Sequence, residues 1–303
     1  MERVWRPDVA LSGALDVALT MSPHRRGGGD PTWRQEAGGA VWRTSRTPLG
    51  PGTLRVTVLP GEGAVVGRAW GPGAEWMLDT LPELLGTHDD KSGFDPQHDV
   101  VRDAARRHAG LRIGRSGRVF EALVPAVLEQ KVVGREAWRA WRWLFARYGE
   151  RAPGPGPEGL RVFPPPEVWR SIPSWDWHRA GVEGVRAKTI VNAAWHAEKF
   201  EAARESPELD RLLRLLPGIG VWTSAEVRQR ALGDPDAVSV GDYHLPSVVG
   251  WALTGEKTDD AGMLRLLEPY AGHRYRVTRL LELSGHRPPA RGPRMAVRDY
   301  RSF

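Results

Sequence analysis

The chain has no cysteine among its 303 residues. Disulfides, zinc–thiolate sites and a Cys-ligated iron–sulfur cluster are excluded in one step. Lysine is scarce: it supplies five of the 43 basic residues, so arginine carries nearly all the positive charge. No uncharged apolar run is long enough to span a membrane. The segment Met1-Glu2-Arg3-Val4-Trp5-Arg6 has no apolar core of a secretory signal. A cytoplasmic protein with no membrane partner is therefore expected. The nine histidines and the many acids fall in no recognisable zinc, calcium or magnesium spacing.

What is present points to an anionic partner. The length allows two or three domains with cores of their own. Net charge is +6 and the pI is 9.9, a balance that favours anions. The charge is also uneven. Residues 101–151 hold twelve Lys/Arg against five acids, and residues 273–303 hold eight Arg against two. An arginine-rich genome accounts for the total; it does not account for the clustering.

Residues 1–88 read as an antiparallel β-rich domain. Trp33-Arg34-Gln35-Glu36, Val41-Trp42-Arg43-Thr44, Leu54 to Val58 and Val65 to Trp70 alternate or are β-branched, with Gly/Pro clusters between them. A helix is predicted over 74–85. His24-Arg25-Arg26 reads as a solvated loop able to touch a phosphate. Residues 86–98 read as a polar linker. Helices dominate residues 89–285. Phe120, Leu123, Val124, Val127 and Leu128 form one stripe; Pro125 inside it predicts a helix start near Ala122 or a kink. Trp138, Trp141, Phe145 and Tyr148 fall at helical spacing and read as core. Residues 149–166 read as a loop, and residues 286–303 as a loosely ordered basic Pro/Arg-rich tail able to contact an anionic partner nonspecifically.

The stretch from 208 to 231 organises the rest. Leu209, Leu212, Leu213 and Leu216 repeat at helical spacing. Pro217-Gly218 ends that helix. Gly218 and Gly220 can take positive φ and let another backbone come close. A second helix begins near Val221, and its first turn offers unpaired N–H groups and a positive dipole end. A phosphate fits such a place. Twenty residues after Trp222 stands Asp242, in Val240-Gly241-Asp242-Tyr243-His244. Read alone, Asp242 caps a helix predicted over 243–253, with Pro246 in its first turn. Trp222 read alone is a core tryptophan.

Leu215-Leu216-Pro217-Gly218-Ile219-Gly220-Val221-Trp222-Thr223, with the Asp twenty residues on, resembles the hairpin of the helix-hairpin-helix DNA glycosylases. Gly-Ile-Gly-x-Trp-Thr and Asp-Tyr look most like the 3-methyladenine DNA glycosylase II group. Gly110 to Val133 resembles the same group, and the resemblance covers roughly residues 105–285. It implies an α+β fold: an N-terminal antiparallel β-rich domain followed by a mostly helical, two-lobed core. It also implies a monomer that acts on double-stranded DNA with a damaged base.

The chemistry implied is hydrolysis of the N-glycosidic bond. Breaking the bond between sugar and base builds positive charge on the sugar, which a fixed carboxylate stabilises while it orients water. The resemblance gives that role to Asp242. It places Trp222, Tyr243 and Gln130 at the base pocket, and Pro217, Gly218, Ile219, Gly220, Thr223 and Lys131 against DNA. Members of the superfamily that also cut the strand carry a Lys at the position of Trp222, so a monofunctional enzyme acting on alkylated purines is implied. The group inserts an apolar wedge where this chain has Lys131, and has an aromatic where this chain has Glu226. No cofactor is required; a structural sodium or potassium ion on the backbone carbonyls of Arg214, Leu216 and Ile219 is implied. The alternative is a non-catalytic hairpin protein that binds damaged DNA.

Overall fold

The computed structural model describes residues 1–6 and 15–289. The predicted basic tail therefore lies outside the described residues from 290 onward.

The chain first builds a five-stranded sheet from β1 (Glu2–Trp5), β2 (Trp33–Gln35), β3 (Val41–Thr47), β4 (Gly50–Leu59) and β5 (Ala64–Trp70), in the order β1-β5-β4-β3-β2 and antiparallel throughout. Three short helices, α1 (Val17–Met21), α2 (Ala74–Asp79) and α3 (Leu81–Leu84), cover one face. Val41, Leu54, Val56, Val65 and Ala69 bury that face against Met21, Met77, Leu78 and Leu81. The predicted helix over 74–85 is thus two helices that meet at Thr80. The edge strand β1 escaped the sequence reading because Glu2, Arg3 and Val4 are all exposed, so no alternation marks them. Strand β3 is buried almost end to end. Its second side meets the helical body: Thr44 Oγ1 donates to the Arg161 carbonyl at 2.6 Å, and Arg46 Nε to that of Phe163 at 2.7 Å. Arg161 belongs to a small hairpin, β6 (Glu150–Arg151) and β7 (Arg161–Val162), inside the stretch read as loop.

The helices divide between two further cores. Helix α4 (Asp99–Arg107) belongs with α13 (Leu245–Thr254), α14 (Asp260–Leu267) and α15 (Arg274–Ser284), through Val101, Val249, Met263, Leu267 and Leu281. Between them in sequence lies the larger core: α5 (Val119–Leu128), α6 (Gly134–Tyr148), α7 (Pro166–Ser171), α8 (Ser174–Ala180), α9 (Gly184–Trp195), α10 (Ala197–Ala202), α11 (Ser206–Arg214) and α12 (Val221–Ala231). The chain lays one helix of the first group, builds the second, and returns to complete the first.

Helix α5 is the axis of the larger core. All of its residues but Glu121 are buried. It starts at Val119 rather than near Ala122, the first of the two expectations, and runs on through Pro125. The reason is a cap from far along the chain. The Glu201 carboxylate of α10 accepts from the N–H groups of Val119 and Phe120, both at 3.0 Å. These are first-turn donors with no partner inside the helix. Burial pushes the Glu201 carboxyl up, against the opposing pull of Arg118 and those two N–H groups. On α6, Trp141 and Phe145 are buried with ring centroids 4.1 Å apart, and Trp138 and Tyr148 pack at the margin, as the aromatic spacing predicts.

The segment read as a polar linker is fastened. Asp89 is buried, accepts from Ile113 N at 3.0 Å and pairs with Arg276 Nη1 at 2.9 Å. Removing one member of a buried pair strands the other charge, at a cost of about 3 kcal/mol. Asp89→Asn is expected to lower stability by about that amount, measured by urea unfolding.

Candidate functional site

The predicted hairpin is present, between α11 and α12. Leu209, Leu213, Leu216 and Ile219 are buried in the larger core, while Leu215, Pro217, Gly218, Gly220 and Val221 face outward. The two glycines differ. Gly218 has φ +91°, and a Cβ there would lie 2.2 Å from Thr189 Oγ1 of α9, so both conformation and space demand glycine. Gly220 has φ −100° and open space where a Cβ would stand. It keeps a clear approach to the start of α12, whose first turn has no side-chain cap.

Gln130 and Thr223 lie on the inner side of the turn. Gln130 Nε2 donates to the Gly218 carbonyl at 2.9 Å and to Thr223 Oγ1 at 2.8 Å. The amide nitrogen of the residue expected at a base pocket thus holds the hairpin to the end of α5. Lys131 follows, exposed, with φ +55°, the one non-glycine residue with positive φ among the described residues. Tyr243, also expected at the pocket, is 86% exposed. It stands on the outer rim, edge-on to His244 at 4.8 Å between ring centroids.

Asp242 and Trp222 do come together. Asp242 Oδ1 accepts from the N–H groups of His244 and Leu245, at 2.8 and 2.9 Å. Its other oxygen, Oδ2, accepts from the Trp222 indole N–H at 3.0 Å. The carboxylate thus caps α13, which begins at Leu245 rather than the expected Tyr243, and reaches across to α12. The loop that brings it there is tied to α12 by two further side chains. Gln229 Nε2 donates to the Ala237 carbonyl and to Ser239 Oγ, at 2.8 and 2.9 Å. Ser239 Oγ in turn donates to Glu226 Oε1 at 2.6 Å. The motif marks neither Ser239 nor Gln229. The partnership appears only when the chain folds back on itself.

The segment read as a solvated loop approaches α12 from the other side. Arg25 is exposed, but Arg26 is only 6% exposed, with Nη1 3.7 Å from Glu129. Burial, then the cations Arg43, Arg230 and Arg26, hold His24 well below the ordinary histidine range. Two small cavities adjoin His24, one of them about 30 Å³ and lined by Arg26, Arg43, Glu121 and Trp141. For the expected ion at Arg214, Leu216 and Ile219, the chemistry of the donors fits. The C-terminal end of α11 concentrates carbonyls with partial negative charge, and the Leu216 carbonyl accepts from Ile219 N at 3.1 Å with a second lone pair to spare. Among the described residues no group of His, Asp or Glu is arranged to hold a metal, and no helix is long and apolar enough to cross a membrane.

No family model matches the chain. Curated relatives from two strains of Mycobacterium tuberculosis, each described as a probable bifunctional transcriptional activator/DNA repair enzyme AlkA, are 31% identical over 172 residues. The match takes in 55% of this chain and 33% of theirs, so the chain spans about a third of the length of those relatives. Among solved structures, the 3-methyladenine DNA glycosylase of Archaeoglobus fulgidus is similar over 93% of this chain and 98% of its own, with a TM-score of 0.73 and 19% identity. The 8-oxoguanine glycosylase/lyase of Clostridium acetobutylicum is similar over 94% and 96%, with 0.69 and 13%. The chain has the fold of the helix-hairpin-helix DNA glycosylases.

Two outcomes are expected from this geometry. Gln130→Ala frees the Gly218 carbonyl and the Thr223 hydroxyl, and should cost about 1–2 kcal/mol, with faster hydrogen exchange at the hairpin amides. Below pH 6.5 the unfolded chain takes up a proton that His24 refuses in the folded protein. Stability should therefore fall as pH drops from 7 toward 5. The fall in Tm over that interval should be shallower in His24→Gln.

Proposed function

We propose that this chain is a monofunctional DNA glycosylase that hydrolyses the N-glycosidic bond of alkylated purines in duplex DNA and leaves an abasic site. The observation that carries the reading is the Trp222–Asp242 pair beside the hairpin. The fold it shares with glycosylases supports it, as does the wording of its curated relatives.

The residues divide the work. The uncapped first turn of α12, reached past Gly220, receives a phosphate. Leu215 and Val221 of the hairpin and Tyr243 after Asp242 are exposed apolar residues, and Lys131 follows the Gln130 that anchors the hairpin. The backbone carbonyls of Arg214, Leu216 and Ile219 would hold a monovalent cation next to that phosphate. The ring of Trp222 stacks on the extruded base. Asp242 faces the sugar: its fixed oxygens lie where positive charge grows as the base departs. One of their remaining lone pairs orients a water, which attacks C1′ as the C–N bond breaks. The electron pair of the broken bond leaves with the base, which departs neutral because alkylation had made it a cation, and the Asp242 carboxylate takes the proton that the water loses as the abasic sugar forms. Trp222 has no amine, so no Schiff base forms at that position.

One observation favours the non-catalytic alternative: Asp242 Oδ1 is engaged in capping bonds to α13. A cap of this kind also fixes the carboxylate rigidly, which catalysis by electrostatics requires. Single-turnover base release from a hypoxanthine duplex and from methylated DNA decides. Wild type should release base and leave alkali-labile sites, with nothing trapped by borohydride. Asp242→Asn should be slower by about 10³-fold or more while still binding damaged duplex. Tight binding by wild type without any base release would establish the alternative.

A further inference from the structure

Glu226 stands one turn below Trp222 on the same face of α12, where the resembled glycosylases carry an aromatic. It is not a solvated charge, for its side chain is 13% exposed. Its two oxygens go to different partners. Oε2 pairs with Arg230 Nη1 at 2.8 Å, and Oε1 accepts from Ser239 Oγ at 2.6 Å. Arg230 is held in its turn, since its Nε donates to the Pro23 carbonyl at 2.9 Å. A carboxylate acceptor makes the bond to Ser239 stronger than a bond between neutral groups.

Ser239 is buried, and its hydroxyl is given a direction. It accepts from Gln229 Nε2 at 2.9 Å, which leaves its own proton for Glu226. The Ser239 carbonyl accepts from the Asp242 N–H at 3.2 Å, so the clamped hydroxyl and the Asp242 carboxylate belong to one turn. Gly241 lies within that turn at φ +89°, with open space where a Cβ would stand, and adds no packing to hold it. On the far side the Gly241 N–H donates to Asp260 Oδ1 at 3.0 Å. Asp260 is available for this because Asp259 caps α14, accepting from Gly262 N at 2.8 Å. Side-chain hydrogen bonds from α12 and α14 thus hold the turn that carries Asp242.

We infer that Glu226 is a positioning residue for base release: through Ser239 it sets where the Asp242 carboxylate stands against Trp222. The inference rests on the glycosylase reading of the site. Helix α12 supplies both sides of the alignment. Trp222 Nε1 meets Asp242 Oδ2 directly, while Glu226 and Gln229, one and two turns further on, fix the backbone that delivers it. A carboxylate that stabilises growing charge works from a preset position, and a displacement of about 1 Å costs about 10²-fold in rate. Glutamine cannot replace Glu226. If its amide oxygen stays toward Ser239, its nitrogen faces the Arg230 guanidinium, donor against donor. If the amide turns over, Ser239 Oγ meets a second donor and its own proton loses its acceptor. Either way the clamp opens with side-chain volume unchanged.

The test is single-turnover base release at saturating enzyme, from methylated DNA and from a hypoxanthine duplex, with duplex affinity measured alongside. Glu226→Gln and Ser239→Ala should each slow release by about 10- to 100-fold while affinity changes by less than about twofold. The double variant should be no slower than the slower single one, because both changes break one bond. On the Asp242→Asn background, Glu226→Gln should have no further effect. The Trp222 indole N–H resonance, assigned with Trp222→Phe, should shift in Glu226→Gln and so report the geometry without reference to activity. Should Glu226→Gln fail to fold, Ser239→Ala carries the same comparisons. An unchanged rate in both single variants, or a loss confined to affinity, overturns the inference and leaves the glycosylase reading intact. So does a loss that persists in full on the Asp242→Asn background, since Glu226 would then act other than through Asp242. If wild type frees no base of any kind, the glycosylase reading fails and takes this inference with it.

Discussion

Burial of α5 is the constraint from which the rest of the molecule follows. A helix with one polar side chain cannot satisfy its surroundings by itself, so each neighbour must bring the polar contact. Glu201 supplies the cap at its start. Its one polar side chain, Glu121, accepts from Ser45 Oγ at 2.8 Å and from the Arg46 N–H, and so fixes the sheet. The Leu128 carbonyl near its end accepts from Arg186 of α9 at 2.7 Å. Of the two residues just past its end, Glu129 lies opposite Arg26 and Gln130 anchors the hairpin. The position of the hairpin relative to the sheet is thus set by ties along ten residues of helix.

The hairpin was legible because its determinants are local. Leucine spacing, a helix-breaking pair and a glycine at positive φ lie within a dozen residues, and the structure has each of them. The pairing of Asp242 with Trp222 required only that a loop return over a span of twenty residues. What stayed hidden depends on distant partners. Nothing local distinguishes a start at Ala122 from a helix that runs on through Pro125, because the cap at Val119 comes from 82 residues away. Arg26 looked like part of a solvated loop because its partner Glu129 lies on another element. Asp89 looked like linker because Arg276 is 187 residues further on. Charged side chains are read as exposed by default, since burial without a partner costs too much. That default fails wherever the fold itself supplies the partner.

Polar groups also account for how the carboxylate of Asp242 is held. Three donors from two elements fix it, and the loop that carries it is held by Gln229 and Glu226 of the same helix that bears Trp222. The Trp222 ring and the Asp242 carboxylate are therefore both tied to α12. A displacement of that helix would shift the two together and leave their mutual geometry intact.

Lys131 has a different kind of consequence. Its left-handed backbone costs about 1–2 kcal/mol for a residue with a Cβ, and the free protein carries that cost at all times. Glycine would relieve it, yet would take away the only long side chain that the fold presents from that spot. The strained residue follows directly on one that is held fast, Gln130, so its exposed amine projects from a point set by the hairpin itself.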